Sequence, residues 1–432
     1  YPINISSPAQ IAILLYDVLG IEPPDKSKPR GTGEEILQKI DHPMAEIILE
    51  YRGITKLLST YIEKMPTITN PKTYRIHTSF NQMGADTGRF SSSDPNMQNI
   101  PSHNDEIRKM FRASEGHVLL SSDYSAQEPR LTAHMSGDEK MIAAYKAGKD
   151  LYVEIASIAY NLPYDECKEF REDGTRNPDG KERRNAAKAI VLGVCYGKGV
   201  PAIAEDLGVP RKKAQEIYDK VMVSFPGLKQ FMEDSENMAR DYGFVTTVWG
   251  RKRRLPNMQL EPYEFTYIGG VPKDFDPLFD DEDEFDDGPL EVDEATKQRY
   301  INVLNRTYSR KEKEVIKAKA KNEGILIKDN GGYIAEATRQ CVNSRIQGSA
   351  ADQTKLAMIL IGNDKKLKEL GFRLLLTVHD ELIGECPKKN AKEVAERFAH
   401  LMVEAAKDLS VPSKCDVEVT ECWYGEPLQL DE

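Results

Sequence analysis

Residues Arg373–Cys386 read RLLLTVHDELIGEC. Leu374, Leu375, Leu376 and Val378 lead into the centre and Leu382 and Ile383 lead out, so the stretch reads as two short buried strands joined by a tight turn. At the join stand His379, Asp380 and Glu381, groups that are costly to bury without partners. A second apolar strand, VLLSSD, ends in Asp123, more than 250 residues upstream of Asp380. If the two strands are neighbours in one sheet, the carboxylates meet at its edge. There they repel unless they share a proton or hold divalent cations. Mg²⁺ on one or two carboxylates, with substrate phosphates completing its shell, is usual where phosphoryl groups are transferred. The plainer alternative is that Asp380 caps a hairpin turn and Asp123 caps the next helix.

At 432 residues the chain is too long for one ordinary core, so two or three lobes are expected. Hydrophobic residues make up 40% and charged residues 30%, as in a soluble globular protein. No run of about 18 apolar residues occurs, so no membrane span is expected. The opening YPINISSPAQ is not a signal peptide, having neither a basic stretch nor an apolar core after it. It also lacks an initiating Met, which suggests a piece of something longer. The six cysteines form no CxxC pair; neither a zinc site nor a disulfide framework is indicated, and a reducing compartment is expected. The net charge of −11 counts at first against a nucleic-acid partner. Its distribution weakens the objection. Asp274–Asp287 holds nine acids and no base, leaving −2 for the rest, and Arg306–Lys321 carries seven bases against two acids.

Along the chain, residues 8–65 read as mostly helical, with apolar residues at i, i+3 and i+4 in AEIILEYRGITKLLSTYIEKM. A loop-rich part follows, NQMGADTGRFSSSDPNMQNIPS. HVLLSSDYS is a strand ending in a polar turn, and helical patterns run from about Pro129 to Ile158. Further helices reach about Asp241, and GFVTTVWGRKRRLP reads as a hairpin. Residues 257–332 change character, with an acidic low-complexity run, a basic helix and KDNGG; they read as a surface insertion, partly disordered. IAEATRQCVNSRIQGSAADQTKLAMILIG resumes as one long helix.

The Ala-rich stretch RRNAAKAIVLGVCYG is a strong helix candidate. On it Arg184, Lys188, Leu192 and Tyr196 recur every four residues and share one broad face. Two cations followed by Leu and Tyr suit a triphosphate tail beside a sugar and base, since Arg grips phosphate bidentately and Lys acts as a mobile point charge. A solvated basic turn running into a buried one would give the same pattern.

Together these stretches resemble the three motifs of family A DNA polymerases: DYSAQEPRLTAHMSGD the first, RRNAAKAIVLGVCYG the second and VHDEL the third. LEYRGITKLLSTY, TGRFSSSDPNMQNIP, YGFVTTVWGRKRRLP and NSRIQGSAAD fit the same family in the same order. The likeness covers the chain except for about 257–332. It implies an α+β right-hand polymerase fold, with an antiparallel-sheet palm, helical fingers and a partial helical thumb. Residues 1–65 would be the thumb part, 66–147 and 339–432 the palm, and 148–338 the fingers with the insertion. By the same resemblance, Asp123 and Asp380, with the Tyr124 carbonyl, hold two Mg²⁺ ions, and Glu381 tunes the site from its edge. Arg184 and Lys188 grip the phosphates, with Lys188 a proton donor to pyrophosphate; Leu192 faces the incoming sugar, and Tyr196 lies against the nascent or templating base. Arg89, Arg339, Asn343, Gln347 and His379 read the minor groove, where every correct pair presents like acceptors. Without the resemblance, Asn343 and Gln347 are ordinary helix surface. Implied partners are primer-template DNA and deoxynucleoside triphosphates, with no membrane; a monomer in the cytoplasm of a bacterial or phage-infected cell is expected.

The chain departs from the bacterial pattern at Ala126, Gln127, Pro129, Tyr152 and Leu192, which points to a phage or metagenomic viral member. Two rival functions share much of the signal. A single-subunit RNA polymerase has the same hand, and Glu128 discriminates, because DNA polymerases of this family use that residue against a ribose 2′-hydroxyl. Locally, Ser125 with Glu128 three residues on also fits a capping box, although Pro129 favours a helix starting there, which moves Glu128 out of the box. An inactive DNA-binding fragment is the second rival, opposed by the joint presence of Asp123, Asp380, Arg184 and Lys188.

Overall fold

The structure is a computed structural model that describes residues 3–101, 105–268 and 291–429. The acidic run 274–287 lies outside the described residues. The chain divides into two compact units, Tyr1–Asn81 with Ser91–Leu119 and Thr420–Gln429, and Gln82–Phe90 with Leu120–Val419. Among the described residues no helix is long and apolar enough to cross a membrane, and all six cysteines are free thiols.

In the first unit, helix α1 (Pro43–Leu57) starts where the His42 ring accepts a hydrogen bond from the Met44 N–H at 3.1 Å. Pro43 occupies the first turn, where its missing N–H costs nothing. Ala45 and Ile48 join Ile11, Leu15, Leu37 and Ile40 in one core, while Ile47, Tyr51 and Ile54 stay exposed. Strands β1 (Ser79–Asn81) and β2 (Ser91–Ser93) pair antiparallel. Near the unit's C-terminal segment, Trp423 is buried edge-on against Phe111, with ring centroids 5.9 Å apart, and the Arg108 guanidinium lies 4.7 Å over it.

The remaining strands are β3 (His117–Tyr124), β4 (Phe244–Thr246), β5 (Lys252–Arg254), β6 (Tyr263–Tyr267), β7 (Ile325–Asp329), β8 (Arg373–Val378), β9 (Glu381–Pro387) and β10 (Cys415–Thr420). Four of them form the main sheet in the order β10-β3-β9-β8. The hairpin predicted from Arg373–Cys386 is β8–β9, antiparallel from Arg373↔Glu385 to Val378↔Glu381, with a register shift between Leu374 and Leu376. The expected hairpin in GFVTTVWGRKRRLP is β4–β5. β3 lies between two neighbours, and its Val118, Leu119 and Leu120 form an unbroken buried run rather than an alternation.

Helices α2 (Gln127–Ser136), α3 (Leu151–Tyr160), α4 (Pro178–Cys195) and α5 (Pro226–Tyr242) follow β3. α6 (Glu294–Arg306) and α7 (Arg310–Asn322) precede β7; α8 (Gly331–Asn363) and α9 (Ala391–Glu404) frame the β8–β9 hairpin in the sequence. α8 packs on α2, α5 and α9. Its buried residues are therefore spread around the helix rather than confined to one stripe.

Two expectations need correction. α2 starts at Gln127, not Pro129, because Ala126 takes the left-handed conformation (φ 52°) that turns the chain out of β3. The described parts of 257–332 are not loose surface. Met258 belongs to a core with Leu255, Ala337 and Cys341. β6 and β7 pair in full, Tyr263↔Asp329 to Tyr267↔Ile325, and Phe265, Ile325 and Ile327 pack against Tyr300 and Leu304 of α6. Alternation in YEFTY and ILIKD carried this small core, masked in the sequence by the charge runs beside it.

Candidate active site

β3 ends with Asp123, and the β8–β9 turn consists of His379 and Asp380 alone, since Val378 pairs with Glu381. With β3 beside β9, the two carboxyls meet at the sheet edge. Asp123 is open to solvent on one side. Even so, the protein packed behind it, then the charge of Asp380 and a side-chain hydrogen bond with it, then the charge of Glu381, raise its pKa to about 7. Asp123 thus holds on to its proton up to near neutrality, hydrogen-bonded between the two crowded carboxyls. Asp123 does not cap α2, whose cap position is Ala126 with no side-chain hydrogen bond. His379 holds φ 58°, a left-handed conformation in which His is enriched among non-glycine residues. Such a residue costs on the order of 1–3 kcal/mol and recurs where a site fixes a side chain's direction.

Tyr124 is buried, and its hydroxyl donates to the Met402 carbonyl at 2.8 Å. Burial of the ring pushes the phenol far above its ordinary pKa. Only its backbone is available to a metal or nucleotide.

Glu128, in the first turn of α2, is held at both oxygens. Arg89 donates to Oε1 at 2.6 Å and the Tyr196 hydroxyl to Oε2 at 2.8 Å. This excludes the capping box and joins three residues from the 82–90 loop, α2 and the end of α4. Burial, followed by the Glu128 charge, raises the Tyr196 pKa.

α4 starts at Pro178, behind an Asn177 cap whose Oδ1 accepts from the Gly180 N–H at 3.2 Å. Along it Arg184 is half-buried, Lys188 exposed, and Leu192 and Tyr196 half-buried, whereas Val191, Gly193 and Val194 are buried. The predicted face is the accessible one. Arg184 Nε donates to Asp150 Oδ2 at 2.8 Å, and its guanidinium lies 5.5 Å from the Tyr152 ring centroid. The other Asp150 oxygen caps α3 through Tyr152 N (2.8 Å) and Val153 N (3.3 Å). Sequence reading missed Asp150, whose N-cap pattern before an apolar run was legible. Lys188 has no ion pair among the described residues.

Arg339 is exposed on α8, with Asn343 and Gln347 half-buried at the next two four-residue steps. The Asn343 Oδ1 is buried with no hydrogen-bond partner. α8 crosses the end of α4 so closely that a Cβ on Gly197 would stand 2.6 Å from the Arg339 carbonyl oxygen, and Gly197 holds φ +66°. The other residue missed from sequence is Arg251. Its Nε pairs with Asp352 Oδ1 at 2.7 Å, and its NH2 donates to the carbonyls of Thr87 (2.7 Å) and Gly348 (3.0 Å). A Cβ on Gly88 would meet that guanidinium at 2.6 Å, so the clamp requires glycine there. Arg251 thereby fastens the loop that presents Arg89 to α8.

Among the described residues no three His, Cys, Asp or Glu side chains are grouped to hold a metal ion. The Asp123–Asp380 pair nevertheless fits a divalent cation, which would take the place of the shared proton and draw its remaining ligands from backbone and substrate oxygens.

The model of DNA polymerase family A matches residues 1–266 and 293–425. DNA polymerase I of Chloroflexus aurantiacus is 32% identical over 98% of this chain and 37% of its own length. The thermostable DNA polymerase I of Thermus aquaticus is 32% identical over 98% of this chain and 42% of its own. The chain thus spans about two fifths of these relatives. Among solved structures, the POL domain of Pol1 from M. smegmatis, in complex with DNA primer-template and dNTP, superposes with a TM-score of 0.72 at 28% identity, covering 98% of this chain and 61% of that one. The mixed helical and antiparallel architecture is that of a polymerase domain. With a family match over both stretches that build the carboxylate pair, the chain belongs to DNA polymerase family A.

Proposed function

We propose that this chain is a template-directed DNA polymerase that adds deoxynucleoside triphosphates to a primer 3′-hydroxyl. The meeting of Asp123 with Asp380 at the sheet edge carries the reading. Mg²⁺ ions held by Asp123, Asp380 and the Tyr124 carbonyl would supply the charge that acidifies the primer hydroxyl and steadies the leaving pyrophosphate. Arg184, pre-aligned by Asp150, and Lys188 bind the triphosphate. The Lys188 ammonium donates a proton to the departing pyrophosphate oxygen. Glu128, fixed by Arg89 and Tyr196, excludes a 2′-hydroxyl, which favours DNA over RNA synthesis. Arg339, Asn343, Gln347 and His379 contact the minor groove, donating N–H groups to the base acceptors there. The palm, fingers and thumb boundaries, the phage or viral origin and the monomeric state inferred from sequence belong to the same proposal.

Primer extension with Mg²⁺ tests it. Asp123→Asn or Asp380→Asn should abolish extension, a loss of several kcal/mol of transition-state stabilisation, while duplex binding in a gel-shift assay persists. Near wild-type rates in either variant would remove the metal assignment. Wild-type binding without extension would leave an inactive DNA-binding fragment.

A further inference from the structure

The α6–α7 corner, residues 305–311, reads NRTYSRK. Tyr308 is 97% exposed, the barest large hydrophobic side chain among the described residues. Its backbone is nonetheless well held. The Thr307 N–H donates to the Leu304 carbonyl at 3.2 Å, the Thr307 hydroxyl to the Val303 carbonyl at 2.8 Å, and the Ser309 hydroxyl caps α7. Leu304 beneath it is fully buried.

An isolated exposed ring needs no explanation. The cations around it make the difference. Of the other bases in this subdomain, Lys297 pairs with Glu291 and Glu294, Arg299 with Glu323 at 2.9 Å, Lys317 with Glu314 and Asp329, and Lys328 with Glu264 at 2.9 Å, whereas Lys319 and Lys321 have no ion pair among the described residues but stand in the last turn of α7, where the helix dipole favours them. Arg306, Arg310 and Lys311 are exposed and have no ion pair among the described residues. Glu312, the nearest acid in sequence, sits in the first turn of α7, where the helix dipole favours it.

We propose that this corner binds single-stranded nucleic acid, with a base stacked on Tyr308 and the flanking phosphates on Arg306, Arg310 and Lys311. Arginine forks match phosphate oxygens, and an aromatic face takes any unstacked base. A duplex hides its base faces, and an acidic peptide would need the cations but not the bare ring. The site is separate from the carboxylate pair and rests on the polymerase reading only in the choice of nucleic acid as partner.

The test is fluorescence anisotropy of labelled oligo-dT with the full chain, in the presence of saturating unlabelled blunt duplex to occupy the main groove. Tyr308→Ala should weaken binding about tenfold, and Tyr308→Phe should bind like wild type, because the ring and not the hydroxyl stacks. Arg306→Ala with Arg310→Ala should lower the log–log salt slope by about 1.4, roughly 0.7 per phosphate contact. Wild-type binding by Tyr308→Ala, equal losses for Ala and Phe, or equally strong competition by polyglutamate would each overturn the proposal. Single-nucleotide addition on a one-nucleotide template overhang should be unchanged in every variant. Failure of that reaction in the wild type would sink the polymerase reading while leaving the oligo-dT result to stand.

Discussion

Glu128 accepts one hydrogen bond from a cation and another from a phenol, on a side chain 12% exposed. Such a carboxylate is fixed in direction, as a sugar-excluding group must be. Glu128→Ala should raise ribonucleotide over deoxyribonucleotide incorporation, read as the ratio of kcat/KM values. It should also cost about 1–3 kcal/mol of stability, because Arg89 and Tyr196 lose their partner. Tyr196→Phe separates the two effects: it frees one oxygen of Glu128 but keeps the carboxylate, so selectivity should loosen less. A stability loss in Glu128→Ala with unchanged selectivity would reduce the residue to a strut. Leu192 lies one turn from Lys188 and one from Tyr196, half-buried between buried neighbours, and so faces the open side of α4. Leucine offers a nucleotide neither ring nor hydroxyl, so on the proposed reading the enzyme should depend on the substrate's own 3′-hydroxyl. Leu192→Tyr should increase dideoxynucleotide use, each tenfold gain being about 1.4 kcal/mol, and Leu192→Phe should gain less. Equal dideoxy-to-deoxy ratios for Leu, Phe and Tyr would turn the side chain into the helical core. Arg251 shows what a single residue's sequence context hides: four bases stand in GRKRR, Arg253 pairs with Asp86 of the 82–90 loop at 2.8 Å, and only the packing of Gly88 and Gly348 shows that Arg251 is held between that loop and α8.

Elements with one dominant period were legible. The β8–β9 hairpin, α4 and α8 fall where apolar spacing and caps predicted them, and the carboxylates follow from where the strands end. Left-handed turns at non-glycine residues were not legible: Ala126 and His379 reach φ above 50° because tertiary context, not local preference, sets the direction of Glu128 and Asp380. The subdomain of β6, β7, α6 and α7 was obscured for a different reason, its charge runs outweighing two five-residue strands. Its structure changes how a deletion should be drawn. Removing 257–332 would strip Met258 from the core and Asn330, which donates to the Glu261 carbonyl at 3.0 Å, from the start of α8. Tyr263 and Asp329 are paired neighbours, so residues 263–329 can be replaced by a short Gly/Ser linker. That deletion should preserve basal nucleotide addition and thermal unfolding of the remainder. Complete loss of addition in a still-folded deletion would make the subdomain part of the working surface.

At the scale of the whole molecule, a net charge of −11 opposes the approach of DNA, yet nine of those charges lie within 274–287. Long-range repulsion depends on the summed field, not on contact, and its reach is set by salt: roughly 30 Å at 0.01 M ionic strength and 3 Å at 1 M. Deleting residues 274–287 would leave the chain near −2. Association with primer-template, measured by stopped-flow anisotropy, should then accelerate on the order of tenfold at low ionic strength and converge with the wild type at high salt. Dissociation and single-turnover addition should not change, because the carboxylate pair and the basic face of α4 are untouched. An acceleration that persists at high salt would mean the acidic run competes directly for the DNA-binding surface. No acceleration at low salt would mean that the bases of Arg306–Lys321 already neutralise it within the folded chain, in which case the same deletion should tighten oligo-dT binding at the Tyr308 corner instead.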